Sequence, residues 1–126
     1  YFIWMNRDQK AFEWFVDLMA QLEEDPATRD VIEIQVYLTG LRAELTSASL
    51  TVAMEVYHQE TGRDLLTGLH APTRLSRPDW QSVFKSIRQA HPDQAVDVFY
   101  CGPEGLSRVL LREAGRFDFG YKKENF

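Results

Sequence analysis

Three short stretches of this 126-residue chain carry residue types able to handle a phosphate-bearing ligand: Asn6-Arg7-Asp8, Thr39-Gly40 and Cys101-Gly102-Pro103. Each follows an apolar run that reads as a strand. In an open α/β sheet, ligands bind beyond the carboxyl ends of the strands, so the three are read together as one candidate site. The planar donors of Arg7 suit the 2′-phosphate of an NADP-type dinucleotide, or a plain ion pair with Asp8 or a nearby surface carboxylate. Arg74 and Arg77, with Lys85 and Arg88, form a basic stretch whose counter-charge is Asp79 alone. It fits a phosphate contact or a solvated helix face. Gly102 lets backbone approach a ligand, and the helix beginning after it offers free N–H groups. Cys101 reads as a packed side chain or a thiol beside a cofactor. With no basic neighbour in sequence, nucleophilic catalysis is the least supported of its roles.

Other chemistries find less support. His58, His70 and His91 lack metal-ligand spacing, so no metal is expected. There is no G-x-G-x-x-G and no Walker loop, so the usual pyrophosphate cradle is missing from these residues. A net charge of −5 argues against an electrostatic grip on nucleic acid or anionic lipid. The charge is uneven, with four basic and eleven acidic residues through Glu60 and ten basic and eight acidic after it, which places an anion site mainly in the second half. A single cysteine excludes an internal disulfide and fits a reducing compartment. No apolar run approaches membrane-spanning length.

The elements that must position these residues alternate. Tyr1 to Met5 is an unbroken apolar run, read as a strand buried on both faces, and it implies an upstream neighbour strand in a longer protein. Asn6 or Asp8 caps a helix with Phe12, Phe15, Val16, Met19 and Leu22 on one face, ended by Asp25-Pro26. Val31 to Leu38 alternates, with Glu33, Gln35 and Tyr37 on a wet face, and is expected at a sheet edge. A helix is expected near Leu50 to Gln59. Pro78 opens another, with Trp80, Val83, Phe84 and Ile87 inward and His91-Pro92 at its end. A strand over Ala95–Cys101, a helix stopped by Gly115 and a last strand from Phe117 to Lys122 complete the order. With 44% hydrophobic and 13% aromatic residues the chain can bury one core. The expected class is α/β: a Rossmann-like, mostly parallel sheet of the ferredoxin-NADP reductase type, with helices on both faces and its first strand lying upstream.

With these residues in view, the chain resembles the NADPH-binding lobe of the NADPH oxidase family, membrane flavocytochromes that make superoxide or hydrogen peroxide. The likeness runs nearly end to end. It rests on Tyr1-Phe2-Ile3-Trp4-Met5-Asn6-Arg7-Asp8, Phe12-Glu13-Trp14-Phe15, Tyr37-Leu38-Thr39-Gly40, Thr67-Gly68-Leu69, Arg77-Pro78-Asp79-Trp80, Val98-Phe99-Tyr100-Cys101-Gly102-Pro103 and Glu124-Asn125-Phe126, in that order. Asn6-Arg7-Asp8-Gln9 and Phe12-Glu13-Trp14-Phe15 are most similar to the calcium-activated, EF-hand-bearing type.

The resemblance implies that residues 1–126 are one NADPH-binding lobe, with 41–66 a variable and mobile insertion. It implies that Asn6, Arg7, Arg74 and Arg77 help hold NADPH, the arginines at its 2′-phosphate, and that Thr39-Gly40 borders the nucleotide groove. Cys101-Gly102-Pro103 would lie by the nicotinamide, and Phe126 would cover the flavin ring until the nicotinamide enters. Flavin-binding and haem-bearing membrane domains of the same parent are the implied partners, FAD and haem their cofactors, and the cytosolic face of a membrane the implied place. The chain alone is not expected to turn over. One departure is Ser76, where family members usually carry glycine before the Arg-Pro-x-Trp motif. A Cβ restricts that turn and bears on Arg74. Two other readings stay open: the lobe of a soluble ferredoxin-reductase-type flavoprotein, and a non-catalytic α/β interaction module.

Overall fold

The computed structural model describes residues 1–40 and 48–124, the side chains of Gln9 and Phe12 excepted. The chain divides into two compact units, Tyr1–Arg77 and Pro78–Phe126. Among the described residues every strand pairing is parallel, as the α/β alternation requires.

In the first unit, β1 (Phe2–Asn6) pairs with β2 (Ile34–Leu38), and β2 with the two-residue β3 (Thr73–Arg74). Asp8 accepts the Lys10 N–H at 3.0 Å and caps a single 3-10 turn, Gln9–Phe12, before α1 (Glu13–Glu24) begins. Helix α1 stops where expected. Asp25 Oδ1 accepts the Ala27 N–H at 2.8 Å, and Thr28 Oγ1 donates to the Leu22 carbonyl at 2.7 Å, closing the open helix end. Met19 is fully buried in a core with Ile34, Val36, Leu38 and Leu69, flanked by Phe15, Val16 and Leu22. Trp4 and Phe15 stack with ring centroids 4.6 Å apart. The expected inward position of Phe12 lies outside the described side chains. Helix α2 runs Ala48–Thr61, slightly longer than its sequence pattern suggested.

Two expectations for β2 fail together. It is the central strand of this sheet, not an edge, and Tyr37, placed on the wet face by alternation, is 2% exposed. The reason is β3, too short to show periodicity. It pairs Arg74 with Tyr37 and covers the phenol.

The second unit holds α3 (Trp80–Ala90), β4 (Asp97–Cys101), α4 (Glu104–Arg116) and β5 (Gly120–Glu124). Its core is Phe84, Ile87, Leu110, Ala114 and Phe119, with Trp80 and Val83 packed against it on the face that helical spacing anticipated. Pro78 precedes α3 instead of opening it. Asp79 is the cap, its carboxylate taking the Ser82 hydroxyl at 2.6 Å and the Ser82 N–H at 3.5 Å. Those hydrogen bonds hold its carboxyl below the ordinary aspartate range. A folded-state pKa below the unfolded one gives stability present above the unfolded value and lost as pH falls through the folded value. The stability difference between the native chain and Asp79→Ala should therefore be largest near neutrality and shrink on acidification below the usual aspartate range. Paired urea titrations across pH check this.

Gly115 does not stop α4. The helix continues to Arg116, Phe117 N–H closes it onto the Glu113 carbonyl, and the positive φ falls on Asp118 at 56°. Phe117 and Phe119 join the core, so β5 starts at Gly120, later than Phe117.

Candidate functional site

Parallel pairing sends the carboxyl ends of β1, β2 and β3 to one end of the first sheet, and Asn6-Arg7, Thr39-Gly40 and Arg74 lie there. The first two stretches meet directly. Thr39 donates its N–H at 2.7 Å and its hydroxyl at 3.2 Å to the Asn6 carbonyl. Asn6 turns its side-chain oxygen onto the Arg7 N–H at 2.7 Å and the Asp8 N–H at 3.3 Å, so the chain folds sharply away from β1 and leaves Arg7 exposed. Gly40 follows because a Cβ there would sit 1.9 Å from the Arg7 carbonyl oxygen. The two backbones touch at this end of the sheet.

The arginines differ in state. Arg7 and Arg77 are exposed, and neither forms an ion pair among the described residues. Arg74 is also exposed, but its Nη1 donates to the Tyr37 hydroxyl at 2.7 Å and its guanidinium lies 5.4 Å from that ring's centre. Most of its donors remain for a ligand. Arg88, grouped by sequence with the basic stretch, does other work. It donates to the carbonyls of Phe117, His91, Gln94 and Asp118 at 2.9 to 3.1 Å and lies over the Phe119 ring. These bonds tie the loops after α3 and α4 together, and the phosphate role considered for Arg88 is withdrawn. Lys85 stays exposed on α3.

The third stretch belongs to the second unit. Cys101 ends β4 as a free, exposed thiol. Gly102 takes φ 156°, and a Cβ there would meet the Tyr100 hydroxyl at 2.5 Å. That hydroxyl donates to the Pro103 carbonyl at 3.0 Å, and burial, first among its causes, pushes the Tyr100 pKa up, so the phenol stays a donor. The start of α4 is already partly neutralised: Glu104 stands in its first turn and pairs with Lys123 and Arg108. Hydrogen bonding to Lys123 holds the Glu104 carboxyl below its ordinary range. Phe126 lies outside the described residues, as does the 41–47 part of the expected insertion. Among the described residues, no three His, Cys, Asp or Glu side chains gather as a metal would need, and no helix is long and apolar enough to cross a membrane.

Sequence reasoning missed Asp64. It is 3% exposed and accepts five hydrogen bonds: the N–H groups of Leu66, Thr67 and Thr73 and the hydroxyls of Thr67 and Thr73, at 2.8 to 3.0 Å. It thus fixes the backbone just before Arg74. The Asp-x-x-Thr spacing ahead of Gly68 was the available signal, since a short acidic side chain captures N–H groups two and three residues on.

This donor set suits an anionic group. Exposed guanidinium groups stand at a parallel-sheet carboxyl end where a close backbone crossing at Gly40 leaves no room for a side chain.

Comparison with known proteins points the same way. Residues 1–114 match the family model described as the ferric reductase NAD binding domain. Human NADPH oxidase 5 is 36% identical over 131 residues, covering 99% of this chain and 17% of its own length. Respiratory burst oxidase homolog protein B of Solanum tuberosum is 36% identical over 134 residues, covering all of this chain and 15% of its own. Dual oxidase 1 of Rattus norvegicus is 32% identical over 135 residues, again across this whole chain but 9% of its own. The chain thus spans less than a quarter of the length of these relatives, and it belongs to the ferric reductase NAD-binding domain family.

Proposed function

We propose that this chain is the NADPH-binding lobe of a larger flavocytochrome oxidase, one that passes a hydride to FAD and electrons through haem across a membrane to dioxygen, giving superoxide or hydrogen peroxide. The observation that carries the reading is the gathering of Asn6-Arg7, Thr39-Gly40 and Arg74 at one carboxyl end of three parallel strands. Arg7, Arg74 and Arg77 hold the 2′-phosphate, for which a guanidinium's planar donors and fixed charge are suited. Asn6 shapes the turn that presents Arg7, and Thr39-Gly40 borders the groove. Cys101-Gly102-Pro103 lies by the nicotinamide, where Gly102 lets main chain approach a flat ring. Bound NADPH supplies the hydride, and the flavin- and haem-bearing domains of the parent, on the cytosolic side of and within its membrane, take the electrons. Residues 1–126 act there as one lobe, with 41–66 its variable insertion, and the lobe alone is inactive. The reaction asks the chain for alignment and exclusion of water more than for an acid or base.

Parallel titrations of NADPH and NADH into the parent protein test this. Arg7→Ala and Arg77→Ala should each weaken NADPH about tenfold while changing NADH by no more than about twofold, the usual scale for one charge-assisted contact. Equal affinity for both nucleotides, unmoved by either change, would sink the reading in favour of an interaction module.

A further inference from the structure

We infer that Tyr37 is a positioning residue: it presets the Arg74 guanidinium and thereby determines how strongly the site prefers a 2′-phosphate over a 2′-hydroxyl. The inference rests on the proposed nucleotide site and deepens it.

Tyr37 and Arg74 are register partners on β2 and β3. The phenol has one proton, which goes to Gln35 Oε1 at 3.3 Å. Its oxygen is then an acceptor for Arg74 Nη1 at 2.7 Å. Gln35 in turn donates from Nε2 to Glu33 Oε1 at 2.9 Å. The result is a one-way relay along one face of β2 and the residue preceding it, from the Arg74 guanidinium through Tyr37 and Gln35 to the Glu33 carboxylate. Each member polarises the next, and the direction leaves Tyr37 nothing to donate to a phosphate. Its service to a ligand is therefore through Arg74.

Three restraints act on that arginine together. The relay fixes one nitrogen, the buried Tyr37 ring fixes the plane of approach from 5.4 Å, and Asp64 holds the preceding residue by both the Thr73 N–H and hydroxyl. A long exposed side chain held in this way loses less rotamer freedom on meeting its ligand than a free one does. The benefit is specific to the nucleotide bearing the extra phosphate, because the 2′-hydroxyl of NADH offers no charge to a guanidinium.

The test is the ratio of kcat/KM for NADPH to that for NADH, measured on the parent protein. Tyr37→Phe keeps the ring and its burial and removes the acceptor. The ratio should fall about fivefold, carried by a higher KM for NADPH, the scale of one ordinary net hydrogen bond. In an Arg74→Ala background the same change should move the ratio no further. Should Tyr37→Phe fail to fold, Gln35→Met, which removes the acceptor for the phenol proton, is read in its place and should lower the ratio about twofold. If Arg74→Ala collapses the ratio and Tyr37→Phe leaves it intact, the positioning role is wrong while the nucleotide site stands. If Tyr37→Phe lowers both nucleotides equally, its role is merely structural and the inference falls. If Arg74→Ala leaves the ratio unchanged, the inference falls together with the assignment of Arg74.

Discussion

Gly40→Ala is expected to lower the stability of the chain by about 3 kcal/mol, at the upper end of what one forced methyl costs in close-packed structure. The added Cβ would lie 1.9 Å from the Arg7 carbonyl oxygen and within 3 Å of that residue's carbonyl carbon and Cα. All three are main-chain atoms, so no side chain can swing aside to make room. Nor can the crossing open freely, because Thr39 is bonded twice to the Asn6 carbonyl one residue away. Relief requires breaking those bonds and moving the Arg7 backbone, so nucleotide affinity should fall along with stability. Urea unfolding and an NADPH titration on the same variant check both. Native-like values in the two measurements would mean that the strands do not cross this closely.

Asp64→Ala should cost about 4 kcal/mol, since several poorly solvated donors lose their acceptor together and each one left unsatisfied costs about 1–3 kcal/mol. Three backbone N–H groups and two hydroxyls lose their acceptor at once, inside a segment that water reaches poorly. Asp64→Asn keeps one oxygen, which can still serve part of the set, while its amide nitrogen faces donors. An intermediate loss is expected. Since Thr73 is released, β3 loosens and Arg74 with it, so the NADPH preference should weaken in proportion. Denaturant midpoints for the two variants, together with the NADPH-to-NADH ratio, decide this. A wild-type midpoint in Asp64→Ala would overturn the description of Asp64 as a hub.

Much of the architecture was legible because it is written locally. The apolar spacing of Phe15, Val16, Met19 and Leu22 marked one helix, and Trp80, Val83, Phe84 and Ile87 marked another. Runs of strand formers at Phe2–Asn6, Ile34–Leu38 and Asp97–Cys101, separated by helices, required parallel pairing and hence a set of loops at one end of each sheet. Arg7 and Thr39-Gly40 could be placed at one sheet end on that ground alone, and their backbones do meet there. Boundaries were less secure where two signals competed. Pro78 and Asp79 both favour a helix start, and the carboxylate that satisfies the Ser82 N–H prevails. Gly115 looked like a stop, yet a glycine inside a helix is tolerated when the inward face on either side of it is as well packed as Leu110, Ala114 and Phe117 are here.

The sequence by itself therefore determined the α/β class, the order of the main elements, the family and the gathering of Arg7 with Thr39-Gly40, because helical and strand periodicity and motif order are properties of neighbouring residues. Tertiary structure alone decided the rest. It turned Tyr37 inward beneath Arg74, 37 positions away, spent Arg88 on carbonyls 29 and 30 positions away, and made Asp64 the anchor of a two-residue strand. In each case a polar side chain had two physically sound uses, solvation or a distant partner. Which one prevails depends on what the folded chain brings within 3 Å of it, and no spacing along the sequence encodes that.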